Sequence, residues 1–222
     1  VDHELDLPVP QVVVEDVRLA LSYVAAQLHG NPAEKMHMIG ITGTKGKTTT
    51  SFLIKSILEE AGKKVGLIGT VCSMIGDEEI PAKLTTPDPV DTQKMLARML
   101  DAGVEYVIME VSAHALALNR LTGICFEVGA FSNFSQDHLD FFDSMDSYFD
   151  CKMKFFDPAM TKKVVYNADD DRIGGAMAET GREALRIGIR EGCDVYANDI
   201  EINERGTNFL MTWHKHFRVS VA

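Results

Sequence analysis

The chain has 222 residues, 45% of them hydrophobic and 25% charged, with a formal net charge of −11. That is enough apolar material for one sizeable core, and the wrong sign for non-specific binding to nucleic acid or an anionic membrane surface. Anionic ligands must therefore be met by local groups, such as backbone amides, a few cations or metal ions.

Residues 1–36 read differently from the rest. Val12-Val13-Val14 is expected as a short strand, and Asp16 as the cap of a helix reaching Leu28, with Val17, Leu21, Val24 and Leu28 on its apolar face. His29-Gly30-Asn31-Pro32 breaks that helix. The segment is too short for a core of its own and reads as the tail of a preceding domain plus a linker helix. From Met36 onward, apolar runs alternate with helical stretches. Strands are expected at 38–42, 65–71, 106–111, 127–131 and 164–166, and helices at 48–61, 91–102 and 145–156. This alternation predicts an α/β fold with a doubly wound, mostly parallel sheet. After about Leu185 the helices stop. Short strands at 195–202, 207–212 and 217–221, with a turn at Glu204-Arg205-Gly206, predict a small antiparallel β appendage. Cys72, Cys125, Cys151 and Cys193 are dispersed, with no C-x-x-C pair, which argues against a zinc ribbon and for a reducing compartment. No stretch is long and apolar enough to span a membrane. The acidic, proline-bearing start is unlike a signal peptide, so a cytoplasmic protein is expected, and the absent initiator Met suggests a fragment or a processed start.

The segment Gly43-Thr44-Lys45-Gly46-Lys47-Thr48 follows a predicted strand and opens a predicted helix. Such a turn is an anion cradle, in which backbone N–H groups and the helix N-terminus face phosphates. Lys47 would reach the β- and γ-phosphates of ATP, and the Thr48 hydroxyl would ligate Mg2+. The generic spacing G-x-x-x-x-G-K-[ST] is not met, because Ile41 stands where its first glycine belongs. The loop is a shorter one that starts at Gly43. An ordinary strand-to-helix turn with a surface lysine is the plain alternative.

Extended to Ile41-Thr42-Gly43-Thr44-Lys45-Gly46-Lys47-Thr48-Thr49-Thr50, the segment resembles the ATP loop of the Mur ligases, the amide-forming ligases of peptidoglycan precursor synthesis. Four more segments follow in the family's order: Leu84-Thr85-Thr86-Pro87-Asp88-Pro89, Met109-Glu110-Val111-Ser112-Ala113-His114-Ala115-Leu116, Asn133-Phe134-Ser135-Gln136-Asp137-His138-Leu139-Asp140, and Tyr148-Phe149-Asp150-Cys151-Lys152. The T-T-P-D and E-V-S-x-H-A-L forms resemble the branch that adds the third peptide residue, lysine or meso-diaminopimelate, to UDP-MurNAc-L-Ala-D-Glu. Lys45 stands where the family usually has Asn, and Ala113 where that branch usually has a second Ser. The resemblance implies that residues 1–36 are a remnant of an N-terminal UDP-substrate domain plus a linker helix. Residues 37–222 would be the central ATP-binding domain, and the C-terminal ligase domain is absent.

The implied reaction has two steps: a substrate carboxylate takes the γ-phosphoryl group of ATP to give an acyl phosphate, and an amine then displaces phosphate. Such chemistry relies on positioning and cationic stabilisation. The resemblance assigns Lys47, Glu110, His138 and Lys152 to catalysis. It assigns Gly43, Thr44, Lys45, Gly46, Lys47, Thr48, Thr49 and Asn167 to ATP, and Thr85, Thr86, Ser112 and Arg120 to the sugar-peptide substrate. Two Mg2+ sites are implied, one at Thr48 and Glu110, the other at His138 and a Lys152 carbamylated by CO2. On the residues alone, Glu110 is equally a surface residue ending a strand, and His138 reads rather as a solvent histidine beside a capping Asp137. Lys152 has Lys154 as a rival, and Asn167 is equally a helix cap. The implied partners are small molecules: UDP-MurNAc-dipeptide, an amino acid and ATP. No nucleic acid or membrane partner is expected, and a monomer is. Alternatives are another ligase of the superfamily such as folylpolyglutamate synthetase, a phosphotransferase using the same loop, and a nucleotide-binding fragment without turnover.

Overall fold

In the computed structural model, which describes residues 1–204 and 206–221, helices and strands alternate through most of the chain. The order is α1 (Val17–Leu28), a 3-10 turn (Pro32–Lys35), β1 (His37–Thr42), α2 (Lys47–Glu60), β2 (Val65–Ile68), β3 (Cys72–Ile75) and β4 (Glu78–Pro81). Then come α3 (Pro89–Asp101), β5 (Tyr106–Glu110), α4 (Ala113–Ala117), β6 (Phe126–Phe131), α5 (Met145–Met153) and a 3-10 turn (Lys154–Phe156). The chain continues through β7 (Thr161–Asn167), α6 (Asp171–Glu179), β8 (Ala184–Gly188), β9 (Val195–Asn203), β10 (Gly206–Trp213) and β11 (Lys215–Val221).

The strands form one sheet in the order β11-β10-β9-β8-β7-β6-β1-β5-β2-β3-β4. Pairing is parallel from β2 across to β9, and antiparallel between β2, β3 and β4 and between β9, β10 and β11. The α/β class, the mostly parallel sheet and the antiparallel C-terminal strands match the expectation. β1 lies between β5 and β6, so the chain reverses its direction of travel across the sheet there. Doubly wound sheets bind ligands outside the carboxyl ends of strands at such a reversal.

One face of the sheet carries the large core, in which Met38, Leu96, Met99, Met109, Phe126, Phe131, Tyr148 and Phe155 are buried together. On the other face, Ile41, Val65 and Ile108 pack against Ile54 and Leu58 of α2. Gly40 of β1 and Gly129 of β6 are register partners. A Cβ on Gly40 would overlap the Phe155 ring and lie 2.8 Å from the Phe126 ring, and one on Gly129 would lie 2.9 Å from Phe155. The two bare positions let Phe155 lie against the strands, which seats the C-terminal end of α5.

Several expectations need correction. Residues 12–14 form no strand: Val12 and Val13 are exposed and have no sheet partner among the described residues. Asp16 does cap α1, accepting from Arg18 and Leu19 N–H at 2.9 Å. The buried face of α1, however, is Ser22, Ala25 and Ala26, and Val17, Leu21, Val24 and Leu28 are exposed. Small residues allow close approach, with the Ser22 hydroxyl donating to the Asn119 carbonyl at 2.7 Å. The strand expected over 65–71 stops at Ile68 and turns back into the β3–β4 hairpin. The helix expected to reach Phe156 ends as α-helix at Met153. Strand β8 had no counterpart in the sequence reading, and helix α6 was foreshadowed only by the cap alternative for Asn167. Of the turn at 204–206, Arg205 lies outside the described residues.

Gly40→Ala tests the seat of α5. A Cβ forced into the Phe126–Phe155 contact is expected to lower stability by about 1–3 kcal/mol, read from the midpoint of urea unfolding. An unchanged midpoint would show that the rings can give way.

Candidate functional site

The carboxyl ends of β1, β5 and β6 come together in residues 42–46, 110–112 and 132–138. Gly43 has φ 151° and a Cβ on it would overlap the Ser132 hydroxyl; Gly46, at φ 76°, precedes the first turn of α2. Both positions favour glycine on backbone grounds, and Gly43 on steric grounds as well. The loop between them is held from the β6 side. Lys45 N–H donates to Asn133 Oδ1 at 2.9 Å and the Lys45 carbonyl accepts from Asn133 Nδ2 at 2.8 Å. Thr44, buried, exchanges bonds with the Ser135 backbone and lies 3.4 Å from the Tyr148 hydroxyl. Ser132 and Asn133 are thus loop-holding residues that the sequence reading did not single out, although Asn133 opens one of its motifs.

Two ammonium groups meet at this loop. Lys47 Nζ donates to the carbonyls of Gly43 at 2.9 Å and Thr44 at 3.0 Å. Lys152 Nζ, from α5, donates to the same Gly43 carbonyl at 3.0 Å and lies 4.7 Å from the centre of the Tyr148 ring. Lys152 is 1% exposed, whereas its neighbour Lys154 is exposed. Neither Lys47 nor Lys152 forms an ion pair among the described residues. Burial, reinforced by the Lys47 charge, pushes the Lys152 ammonium down from 10.5 to about 7. Burial also lowers Lys47, opposed by the charges of Glu110 and Asp137.

Glu110 ends β5 with its side chain fully buried. Its carboxylate accepts from Thr48 Oγ1 at 3.1 Å, and from Thr70 N and Oγ1 at 3.0 and 2.9 Å. The Thr85-Thr86 pair lies beside it. Thr86 Oγ1 donates to the Glu110 carbonyl at 2.7 Å and accepts from Ser112 N–H at 3.1 Å. Ser112 Oγ caps α4, accepting from Ala115 N–H at 3.2 Å. Arg120 reaches the Thr86 carbonyl at 3.1 Å and pairs with Asp88 at 3.1 Å. His138 takes a left-handed backbone (φ 53°), with Nε2 3.6 Å from Asp137 Oδ2. His114 packs edge-on to it at 4.8 Å between ring centres, and burial keeps its pKa below the usual histidine value.

Thr44, Lys47, Thr85, Thr86, Ser112, Arg120, His138 and Lys152 all line one cavity of about 450 Å³, together with Thr70, His114 and Asp137. Thr48 and Glu110 adjoin it through Thr70. Thr49 is exposed on the first turn of α2. Asn167 lies elsewhere, in a cavity of about 430 Å³ beside Thr50, Ser132, Ile187, Ile189 and Tyr196. Its Oδ1 accepts from Asp169 N–H at 3.0 Å. The cap of α6 is Asp170, not Asn167. Thr70 and Asp137 also line the main cavity; Thr70 was assigned no role from sequence, and Asp137 only that of a helix cap.

The donors around this cavity suit Mg2+ with a nucleotide. Thr48 and Glu110 offer hard oxygens at one edge of the loop. Among the described residues no group of three His, Cys, Asp or Glu side chains forms a closed metal cage. Mg2+ takes one or two protein oxygens and completes its shell with phosphate and water. No helix among the described residues is long and apolar enough to cross a membrane.

Comparison with known proteins gives the following. Residues 41–222 match the family model for the Mur ligase middle domain. A UDP-N-acetylmuramoyl-L-alanyl-D-glutamate--2,6-diaminopimelate ligase from Corynebacterium glutamicum is 46% identical over 201 residues, covering 89% of this chain and 39% of that protein. A solved structure of a ligase with the same name superposes with TM-score 0.87 at 25% identity, covering 98% of this chain and 46% of that one. The MurF ligase of Thermotoga maritima, in complex with ADP, superposes with TM-score 0.68 at 21% identity, covering 98% and 47%; that likeness concerns the fold. The chain spans less than half the length of these relatives.

The buried Lys152 ammonium predicts a pH signature. Between about pH 7 and 10.5 the unfolded chain holds a proton at this site that the folded chain has released, so stability from this group rises with pH across that window. Lys152→Met removes the term. In CO2-free buffer the variant is expected to be more stable than the parent at pH 7, by on the order of a few kcal/mol, with the gap closing towards pH 10. Urea unfolding of both proteins at the two pH values checks this, and a gap independent of pH would contradict it.

Proposed function

This chain belongs to the Mur ligase middle-domain family, and from that premise we propose that it is the central ATP-binding domain of a longer ligase. In this reading residues 1–36 link it to a part that grips the uridine nucleotide, and a further domain closes over ATP. The reaction is ATP-dependent formation of an amide bond that adds the third amino acid to UDP-MurNAc-L-Ala-D-Glu through an acyl phosphate. The names of the relatives favour 2,6-diaminopimelate over lysine as that amino acid. A cytoplasmic setting suits nucleotide substrates and unpaired cysteines.

The observation that carries the reading is the convergence of Lys47 and Lys152 on the Gly43 carbonyl, in the cavity that also holds Thr85, Thr86, Ser112 and Arg120. The loop residues 43–49 cradle the phosphates through backbone N–H groups and the start of α2. Lys47 turns from the Gly43 and Thr44 carbonyls towards the β- and γ-phosphates. Thr48 and Glu110 would hold Mg2+, which neutralises charge on the phosphates when bound. Arg120 and the two threonines hold the substrate, with its carboxylate directed at the γ-phosphate. Asn167, with its apolar cavity, faces the adenine.

Lys152 supports a more particular proposal. Only a neutral amine adds CO2, and a pKa of about 7 supplies that form at neutral pH. The amine nitrogen bonds to the carbon of CO2, one N–H proton leaves to solvent, and an anionic carbamate remains. It would face Lys47 across the loop, replacing repulsion between two cations with an ion pair. Its oxygens, with His138, then suit a second Mg2+.

The test is phosphate release by the full-length ligase supplied with ATP, UDP-MurNAc-L-Ala-D-Glu and meso-diaminopimelate. Release is expected to require both the dipeptide carboxylate and the amine, and to fall roughly 100-fold or more in Lys47→Ala. Release with water or a sugar hydroxyl as the only acceptor would contradict the ligase reading.

A further inference from the structure

Glu110 lies at the end of a strand with no freedom to drift, yet its carboxylate must still be aimed. Thr70 does most of that aiming. Its N–H donates to Oε1 at 3.0 Å and its hydroxyl to Oε2 at 2.9 Å, so a single residue grips both oxygens. Gly69 closes the grip from beneath, because a Cβ there would overlap Oε1. An ionised carboxylate only accepts hydrogen bonds. The Thr70 hydroxyl therefore donates to Glu110, and its oxygen also lies 3.1 Å from the Thr85 hydroxyl. Thr48 donates to the same Oε2 at 3.1 Å.

This grip sits at the end of β2. Residues 69–71 leave the sheet where Glu110 needs two donors, and the chain reverses into β3 directly afterwards.

We infer that Thr70 is a positioning residue for the metal–nucleotide site, holding the Glu110 carboxylate so that one oxygen faces Thr48. The inference rests on the reading of Thr48 and Glu110 as the Mg2+ edge of the loop. Thr70 acts through Glu110 rather than on the nucleotide. Its loss should therefore appear in the metal-dependent part of nucleotide affinity and nowhere else.

The experiment is calorimetric titration of the 222-residue chain with adenylyl imidodiphosphate, once with saturating Mg2+ and once with EDTA. Thr70→Val keeps the backbone donor and the shape but loses the hydroxyl. It is expected to weaken affinity about tenfold with Mg2+ and to leave affinity in EDTA unchanged, and Thr70→Ser is expected to restore the parent value. An unchanged affinity with Mg2+, or an equal loss in EDTA, would overturn the inference, the second by marking a general defect of the loop. Thr70→Ala takes the place of Thr70→Val if the unfolding curve shows the latter to be misfolded. A parent chain whose affinity gains nothing from Mg2+ would overturn the Mg2+–nucleotide reading itself, an outcome visible before any variant is made.

Discussion

Lys47 and Lys152 both donate to the carbonyl oxygen of Gly43, at 2.9 and 3.0 Å. Two cations so placed repel one another, and one of them is buried to 1% exposure. A single carbonyl dipole offsets part of that repulsion. The remainder is relieved by proton loss from Lys152, or by an anion drawn between the two amines. Much of the surrounding structure serves this contact. Gly43 is glycine because its backbone and the Ser132 hydroxyl leave no room for a Cβ. Asn133 fixes the loop from the β6 side. The bare surface of Gly40 and Gly129 seats Phe155, which anchors the helix that brings Lys152 in.

An acidic chain with a net charge of −11 thus keeps a locally cationic cavity. Lys47, Lys152 and Arg120 line it, and Arg120 is partly occupied by Asp88. Glu110 is withdrawn to the cavity edge and wrapped by hydroxyl and amide donors from Thr48 and Thr70. In the proposed function this separation would set the cations towards the phosphates of ATP and keep the carboxylate, which would otherwise pair with them directly, for a metal ion. The Thr85-Thr86 segment touches Glu110 by two routes, through the Thr70 hydroxyl and through the Glu110 carbonyl. The residues proposed to hold substrate and those proposed to hold the nucleotide are therefore joined by hydrogen bonds.

What could be read from sequence follows from the range of the interactions involved. The glycine loop between β1 and α2 was legible because glycine spacing, strand and helix are all local. Strand-end Glu110 was legible as a position, but its clamp was not, because Thr70 is forty residues away and carries no pattern of its own. The same distance hid the end of β2, which falls beside a carboxylate on another strand. The Gly174-Gly175 pair obscured α6, although Asp170 caps it and Ile173 and Met177 bury one face. On α1 an apolar stripe was taken for the buried face, while the contact is made by Ser22, Ala25 and Ala26, which permit closer approach. Lys152 and Lys154 were separable only by resemblance; in three dimensions burial separates them, since one lies under the loop and the other in solvent.

The central claim is that residues 43–49, Lys47 and Glu110 together receive the phosphates of ATP with Mg2+. A crystal structure of this chain grown with adenylyl imidodiphosphate, MgCl2 and bicarbonate tests it most directly. Expected are phosphates on the loop amides, Lys47 Nζ swung from the Gly43 carbonyl to phosphate oxygen, and a metal ion at about 2.1 Å from Thr48 Oγ1 or a Glu110 oxygen. Nucleotide bound away from the loop, or Lys47 still on the Gly43 carbonyl beside bound phosphates, would contradict it.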